Sequence, residues 1–216
     1  RNYGYWMNAP ISESDELIYD MCKTTSITVN GGDLAYECIV NDANQWQADI
    51  DVILLIKNNV LSIHCGDFFT YANNEYLIMF DVEDRGFFQS AKARKINGHL
   101  KWMSSDNTVY DCPYVIGSSS TKFKVNESKI NLVDGALYAS IPKNASSKLI
   151  VMNNRFILGS QTYEVIGIED ASPPVELIKL SLQPIVKNNK DNFTTGIADN
   201  SALYQAKSGG GSSWRG

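Results

Sequence analysis

One stretch of this chain occurs twice. Ile63 through Ile78 aligns without a gap with Ile150 through Val165, so that Ile63 meets Ile150, Phe69 meets Phe156, Tyr76 meets Tyr163 and Ile78 meets Val165. After a gap of one residue, Val82-Glu83-Asp84 meets Ile168-Glu169-Asp170. Each copy reads as a polar turn (Cys65-Gly66-Asp67; Met152-Asn153-Asn154), a strand, a tight turn containing Asn or Gly, and a second, alternating strand. That pattern is a β-hairpin. Two copies fall short of the three or more units of a solenoid and predict instead two related small barrels.

The surrounding sequence agrees with a β architecture. From Ser26 onward, β-branched and aromatic runs alternate with polar turns at a spacing of about 8–12 residues, the pattern of small barrels or sandwiches. Leu34–Val40, Ile50–Ile56, Leu61–His64, Gln89–Lys95, Thr108–Val115 and Val175–Pro184 are among the expected strands. One short helix is expected over Ser14–Cys22, where Ser12-Glu13-Ser14-Asp15 precedes Leu17, Ile18 and Met21. The fold class expected is all-β, mainly β with one short N-terminal helix: two small β-barrels or sandwiches with an extended N-terminal arm. The expected organisation is an arm and helix over 1–25, a first β domain over 26–116, a second over 117–186, and a polar, Gly/Ser-rich C-terminal tail over 187–216. The tail reads that way because 187–192 is polar throughout and 208–213 has a flexible-linker composition, which puts the end of the ordered core near Pro184.

Composition excludes several classes. With 44% hydrophobic and 11% aromatic residues, the 216-residue chain can bury a real core. A formal charge of −5 leaves no basic stripe to neutralise phosphates, so DNA is not expected as a directly bound ligand. The longest apolar run, Val52–Ile56, has strand length and is far below the roughly 20 residues that cross a bilayer. No leader is read at the N-terminus. The four cysteines, Cys22, Cys38, Cys65 and Cys112, match neither zinc-ligand pairs nor a disulfide framework and are expected as free, buried thiols. The Asn-x-Ser/Thr triplets at Asn126, Asn144 and Asn192 carry no functional weight in so Asn-rich a chain.

No catalytic, cofactor-binding or metal-binding residue is expected. The only two histidines, His64 and His99, lie on neighbouring expected strands without a motif around either. His64-Cys65 with Asp67 lacks a second ligand pair. Acidic clusters at 13–16, 81–84 and 169–170 would serve a glycosidase only if two carboxylates faced each other across a cleft, and two of the three close the repeated hairpin as solvated loop ends. Gly209–Gly211 lacks the Lys and Ser/Thr of a phosphate loop. The candidate subunit contacts are Tyr3, Tyr5 and Trp6 on the N-terminal arm, and Arg85, Phe87 and Phe88 on a loop leaving the first repeat.

Gly66-Asp67-Phe68-Phe69-Thr70-Tyr71 followed by Glu75-Tyr76-Leu77-Ile78 resembles the signature hairpin of phage head-closure and head-tail joining proteins. Ile39-Val40-Asn41-Asp42, Asp49-Ile50-Asp51, His99-Leu100-Lys101-Trp102 and Gly196-Ile197-Ala198-Asp199 resemble virion structural proteins of tailed bacteriophages of Gram-positive hosts. The resemblance implies SH3-like barrels and a non-enzymatic role in the head-to-tail connector, or neck. There, identical subunits form a six- or twelve-fold ring, dock to portal and tail proteins, let DNA pass without specific binding, and touch no membrane. It implies a virion protein assembled in the bacterial host cytoplasm, with no cofactor. Simple head-closure proteins are about half this length, and the second repeat departs from them. The alternative is a carbohydrate- or host-binding β module of a tail fibre or adhesin, with Trp46, Trp102 and tyrosines as a sugar-stacking face.

Overall fold

A computed structural model describes residues 19, 21–43, 50–104, 106–117, 136–170 and 176–208. In chain order the elements are β1 (Thr25–Val29), β2 (Ala35–Asp42), β3 (Val52–Lys57), β4 (Phe68–Tyr71), β5 (Asn74–Ile78), β6 (Glu83–Asp84), β7 (Phe88–Lys95), β8 (Gly98–Met103), β9 (Val109–Gly117), β10 (Leu137–Pro142), a 3-10 turn (Ser147–Leu149), β11 (Arg155–Leu158), β12 (Gln161–Asp170), β13 (Leu177–Ile185) and the helix α1 (Ser201–Ser208). The all-β expectation holds. Of the expected N-terminal helix, only Tyr19, Met21 and Cys22 fall in the described residues, and Tyr19 and Met21 are helical.

The chain divides into two compact units, one of residues 1–96 with 172–176 and the other of 97–171 with 177–216. The division lies N-terminal to the 116/117 boundary drawn from the sequence. The reason is pairing: β8 and β9 form a hairpin with each other, Gly98 opposite Tyr114, and β9 in turn pairs with β10.

In the first unit the ladders run in a closed circuit. β1 pairs with β2, β2 with β3, β3 with β7, β7 with β5, β5 with β4, and β4 again with β1. Closure leaves that ring no open edge. Inside it lie Ile27, Cys38, Val52, Leu54, Ile56, Ile63, Phe69, Ile78, Ala91 and Ala93. The near-continuous apolar run of β3 is buried at four of six positions, and burial of the consecutive Val52, Ile53 and Leu54 means that both faces of the strand are covered there.

Leu61–His64, expected as a strand, joins no ladder. The Gln89 side chain satisfies this stretch instead, accepting from the Ile63 N–H at 3.1 Å and donating to the Leu61 carbonyl at 2.9 Å. Ile63 is thereby held in the core without a neighbouring strand.

The second unit repeats the plan. Its order β11-β12-β13-β10-β9-β8 matches β4-β5-β7-β3-β2-β1 strand for strand. Registers agree as well: Ala93 lies between Val52 and Ile78, and Leu182 lies between Leu137 and Val165. Its core is Leu100, Trp102, Cys112, Tyr114, Ala139, Ile141, Ile150, Phe156, Leu158, Val165, Ile178, Leu180 and Leu182. Trp102 stacks on Tyr110 at 5.4 Å and meets Phe156 edge-on at 5.9 Å.

The repeated hairpins agree in their backbone bonds. Phe69 faces Tyr76, as Phe156 faces Tyr163. Gly66 N–H donates to the Ile78 carbonyl and Ile78 N–H to the Asp67 carbonyl; Asn153 and Val165, then Val165 and Asn154, form the same two bonds. The carboxylate of Asp67 accepts the His64 N–H at 2.8 Å, where the amide oxygen of Asn154 accepts the Val151 N–H at 2.7 Å. Glu83 and Asp84 lie opposite Ser90 and Gln89, while Glu169 and Asp170 lie opposite Lys179 and Ile178. The first hairpin turns through Ala72 and Asn73, both at positive φ, the geometry that matches strand twist; the second turns at Gly159, φ +59.

Candidate functional site at the seam of the second barrel

The two barrels differ where they close. In the first, Thr28 pairs with Thr70 and Val29 with Phe69, and Asn30 just beyond β1 finishes the seam. The Asn30 amide oxygen accepts the Phe68 N–H at 3.0 Å, and its backbone N–H donates to the Phe68 carbonyl at 2.8 Å. In the second, β8 and β11 approach each other, but among the described residues no ladder joins them.

Residues 187–204, expected to lie in a polar tail beyond the ordered core, close this seam. The physical reason is a run of Asn and Asp side chains that fold the segment on itself before it meets the barrel. Asn192 accepts from the N–H groups of Thr194 and Thr195 at 3.0 and 3.1 Å, and Gly196 at φ +75 turns the chain back so that Ile197 bridges Asn192 and, in parallel, Lys101 of β8. Asp199 Oδ1 accepts the Ser201 N–H at 3.0 Å at the start of α1. The Tyr204 hydroxyl donates to the Met103 carbonyl at 2.6 Å. On the β11 side, Asn200 accepts the Arg155 N–H at 2.7 Å and donates to the Arg155 carbonyl at 3.1 Å. Arg155 aligns with Phe68, so Asn200 does for the second barrel what Asn30 does for the first.

Asp191 is the hub of the strap. Its side chain has no solvent exposure and receives the Arg155 guanidinium at 2.8 Å, the Thr162 hydroxyl at 3.1 Å and the N–H groups of Asn188 at 2.7 Å and Asp199 at 2.9 Å. Burial would raise its pKa, but these donors and the Arg155 charge outweigh it and hold the carboxyl below the usual range. Asp199 is lowered too, chiefly by the hydroxyl and N–H of Ser201. The Arg155 Nε is buried without a partner.

Tyr3, Tyr5, Trp6 and Trp46 lie outside the described residues. Phe87 and Phe88, candidates for contact with a neighbour, are half-buried and pack on Tyr19 of their own unit, each with ring centroids 5.9 Å away, and Lys57 Nζ sits 5.0 Å from the Phe87 ring. Arg85 pairs with Glu83, which also binds Lys92 at 3.0 Å. These residues tie the β6–β7 turn to the barrel. Trp102 is 2% exposed, so it cannot supply a sugar-stacking face.

His64 is open to solvent, 3.5 Å from Ser62 Oγ and 3.6 Å from Asp67, contacts longer than a nucleophile–base hydrogen bond. His99 is hydrogen-bonded to Asp111. The acidic groups at 83–84 and 170 are engaged: Glu83 as above, Asp84 by Asn58 and the Gly86 N–H at 2.8 Å each, and Asp170 by Lys143 at 2.7 Å. All four cysteines are free; Cys38, Cys65 and Cys112 are buried, their pKa values raised by desolvation to about 12, 11 and 12, so the thiols are protonated. Among the described residues no group of three His, Cys, Asp or Glu could hold a metal ion. No described helix is long and apolar enough to cross a membrane.

The seam residues Asn30, Arg155, Asp191 and Asn200 are absent from the candidates drawn from sequence. A signal for the strap exists in Asp199-Asn200-Ser201 ahead of Ala202-Leu203-Tyr204, a helix start after a run of Asx turns.

Residues 98–183 match the family model described as the YomX C-terminal domain, a phage-derived family of the Bacillus prophage type. The match covers less than half of the chain and spans the second barrel from the first residue of β8 into β13, ending before the strap. No curated protein matches this chain, and no solved structure does. The second barrel is similar to a phage-derived domain.

Proposed function

We propose that this chain is a non-enzymatic virion structural protein of a tailed phage, which forms a homo-oligomeric ring of the head-to-tail connector and docks to portal and tail proteins. The observation that carries the reading is the match of the second barrel to a phage-derived domain family. Two barrels of one plan supply wall-forming modules, and the acidic groups Glu83, Asp84 and Asp170 are engaged in turns and ion pairs. A net charge of −5 suits a channel through which DNA slides without sticking. On this reading the subunits contact head to tail and close by rotation, the N-terminal arm with Tyr3, Tyr5 and Trp6 lacing neighbours together. The protein resides in the virion and assembles in the host cytoplasm. Mass photometry of the purified chain tests this: a six- or twelve-fold oligomer is expected, weakened by deleting residues 1–10 while the barrels stay folded. A chain that stays monomeric would contradict it.

A further inference from the structure

The seam between β8 and β11 is covered by a turn-rich segment that touches β8 through one bridge, Lys101 with Ile197, and that segment is not part of the barrel plan. The first barrel closes with Asn30, which follows directly on its own β1. The second has the same strands but takes the equivalent asparagine, Asn200, from a strap that begins after β13 and lies beyond the matched family region. The strap is held almost entirely by polar contacts: the Asp191 hub, Asn200 on Arg155, Ile197 on Lys101 and Tyr204 on Met103. Ala198 is its only buried apolar residue among those described. It is joined to β13 through Val186, whose apolar side chain is 88% exposed. A segment attached by hydrogen bonds, tethered through an exposed joint and covering strand edges, has the features of an exchangeable element, because the same bonds form whichever copy supplies it.

We propose that in the assembled protein this seam is filled by residues 187–204 of a second copy, so that each subunit's strap closes the second barrel of its neighbour. This rests on the assembly reading above. The exchanged contact is the same set of bonds seen here within one chain, including the Arg155–Asp191 ion pair, so a closed ring loses none of them.

The test uses two full-length copies carrying Cys22→Ser and different affinity tags, one with Lys101→Cys and the other with Ile197→Cys. Bridge-paired residues lie within disulfide reach, Cα atoms ~4.4–6.8 Å apart. The copies are co-expressed, isolated through both tags in succession and oxidised mildly. The expected result is a disulfide joining the two differently tagged chains, confirmed by the linked peptides. A parallel chain carrying both cysteines reports the alternative. An intrachain link there, with no link between the tagged copies, would overturn the exchange and leave the strap closing its own barrel. No link in either sample would overturn it as well, because the strap would then not occupy the seam. Failure of the two tags to co-purify would instead count against assembly itself.

Discussion

Asn200 holds the main chain of Arg155 from both sides, accepting its N–H at 2.7 Å and donating to its carbonyl at 3.1 Å. Asn200 is 5% exposed, so Asn200→Ala leaves Arg155 backbone groups in a place that water reaches poorly. The loss of two such bonds is expected to cost about 2–3 kcal/mol in the second unit. Asn30→Ala, at the more exposed seam of the first, should cost about 1 kcal/mol. Urea denaturation of the two variants checks the order.

Asp191 gives the strap a defined acid response. Its folded pKa is depressed, so the unfolded chain binds the proton more readily, and the stabilisation is fully present above the unfolded value of roughly 3.9. It is lost as pH falls through the lower folded value. Asp199 and Asp106 of the same unit are depressed as well, so the contribution is read as the difference between the wild-type protein and Asp191→Asn. The variant is expected to be less stable at neutral pH and to show a shallower decline below about pH 4, measured by thermal melts across a pH series.

The repeated phenylalanines occupy equivalent core sites, Phe69 at 1% and Phe156 at 0% exposure. Phe69→Ala and Phe156→Ala are each expected to cost about 3–5 kcal/mol. Hydrogen exchange should report the loss in the first unit for Phe69→Ala and in the second for Phe156→Ala.

Gly66 and Asn153 share one turn position, at φ +93 and +66. A Cβ at Gly66 would overlap the Glu176 carbonyl oxygen, and the positive φ disfavours a side chain in any case. Gly66→Ala is therefore expected to destabilise by about 1–3 kcal/mol. Asn153→Gly should lie within about 0.5 kcal/mol of wild type. Chemical denaturation separates the two.

What was legible in the sequence was local. The hairpin pairs Phe69 with Tyr76 and Phe156 with Tyr163 could be read because turn residues and alternation lie within sixteen consecutive positions of each copy. The seam was hidden because Arg155 and Asn200 meet across 45 positions through hydrogen bonds, which leave no periodic apolar pattern to detect. Polar composition after Val186 suggested a tail, yet the same Asn and Asp side chains fold the strap. The packing of Phe87 and Phe88 on Tyr19 left no local signal, because Tyr19 comes from a segment distant in sequence.

The most direct measurement is the position of this protein in the intact particle, by cryo-electron microscopy of the head-tail junction. Density for both barrels is expected in a six- or twelve-fold ring below the portal. Absence from the virion, or a trimeric location on a tail fibre, would contradict it.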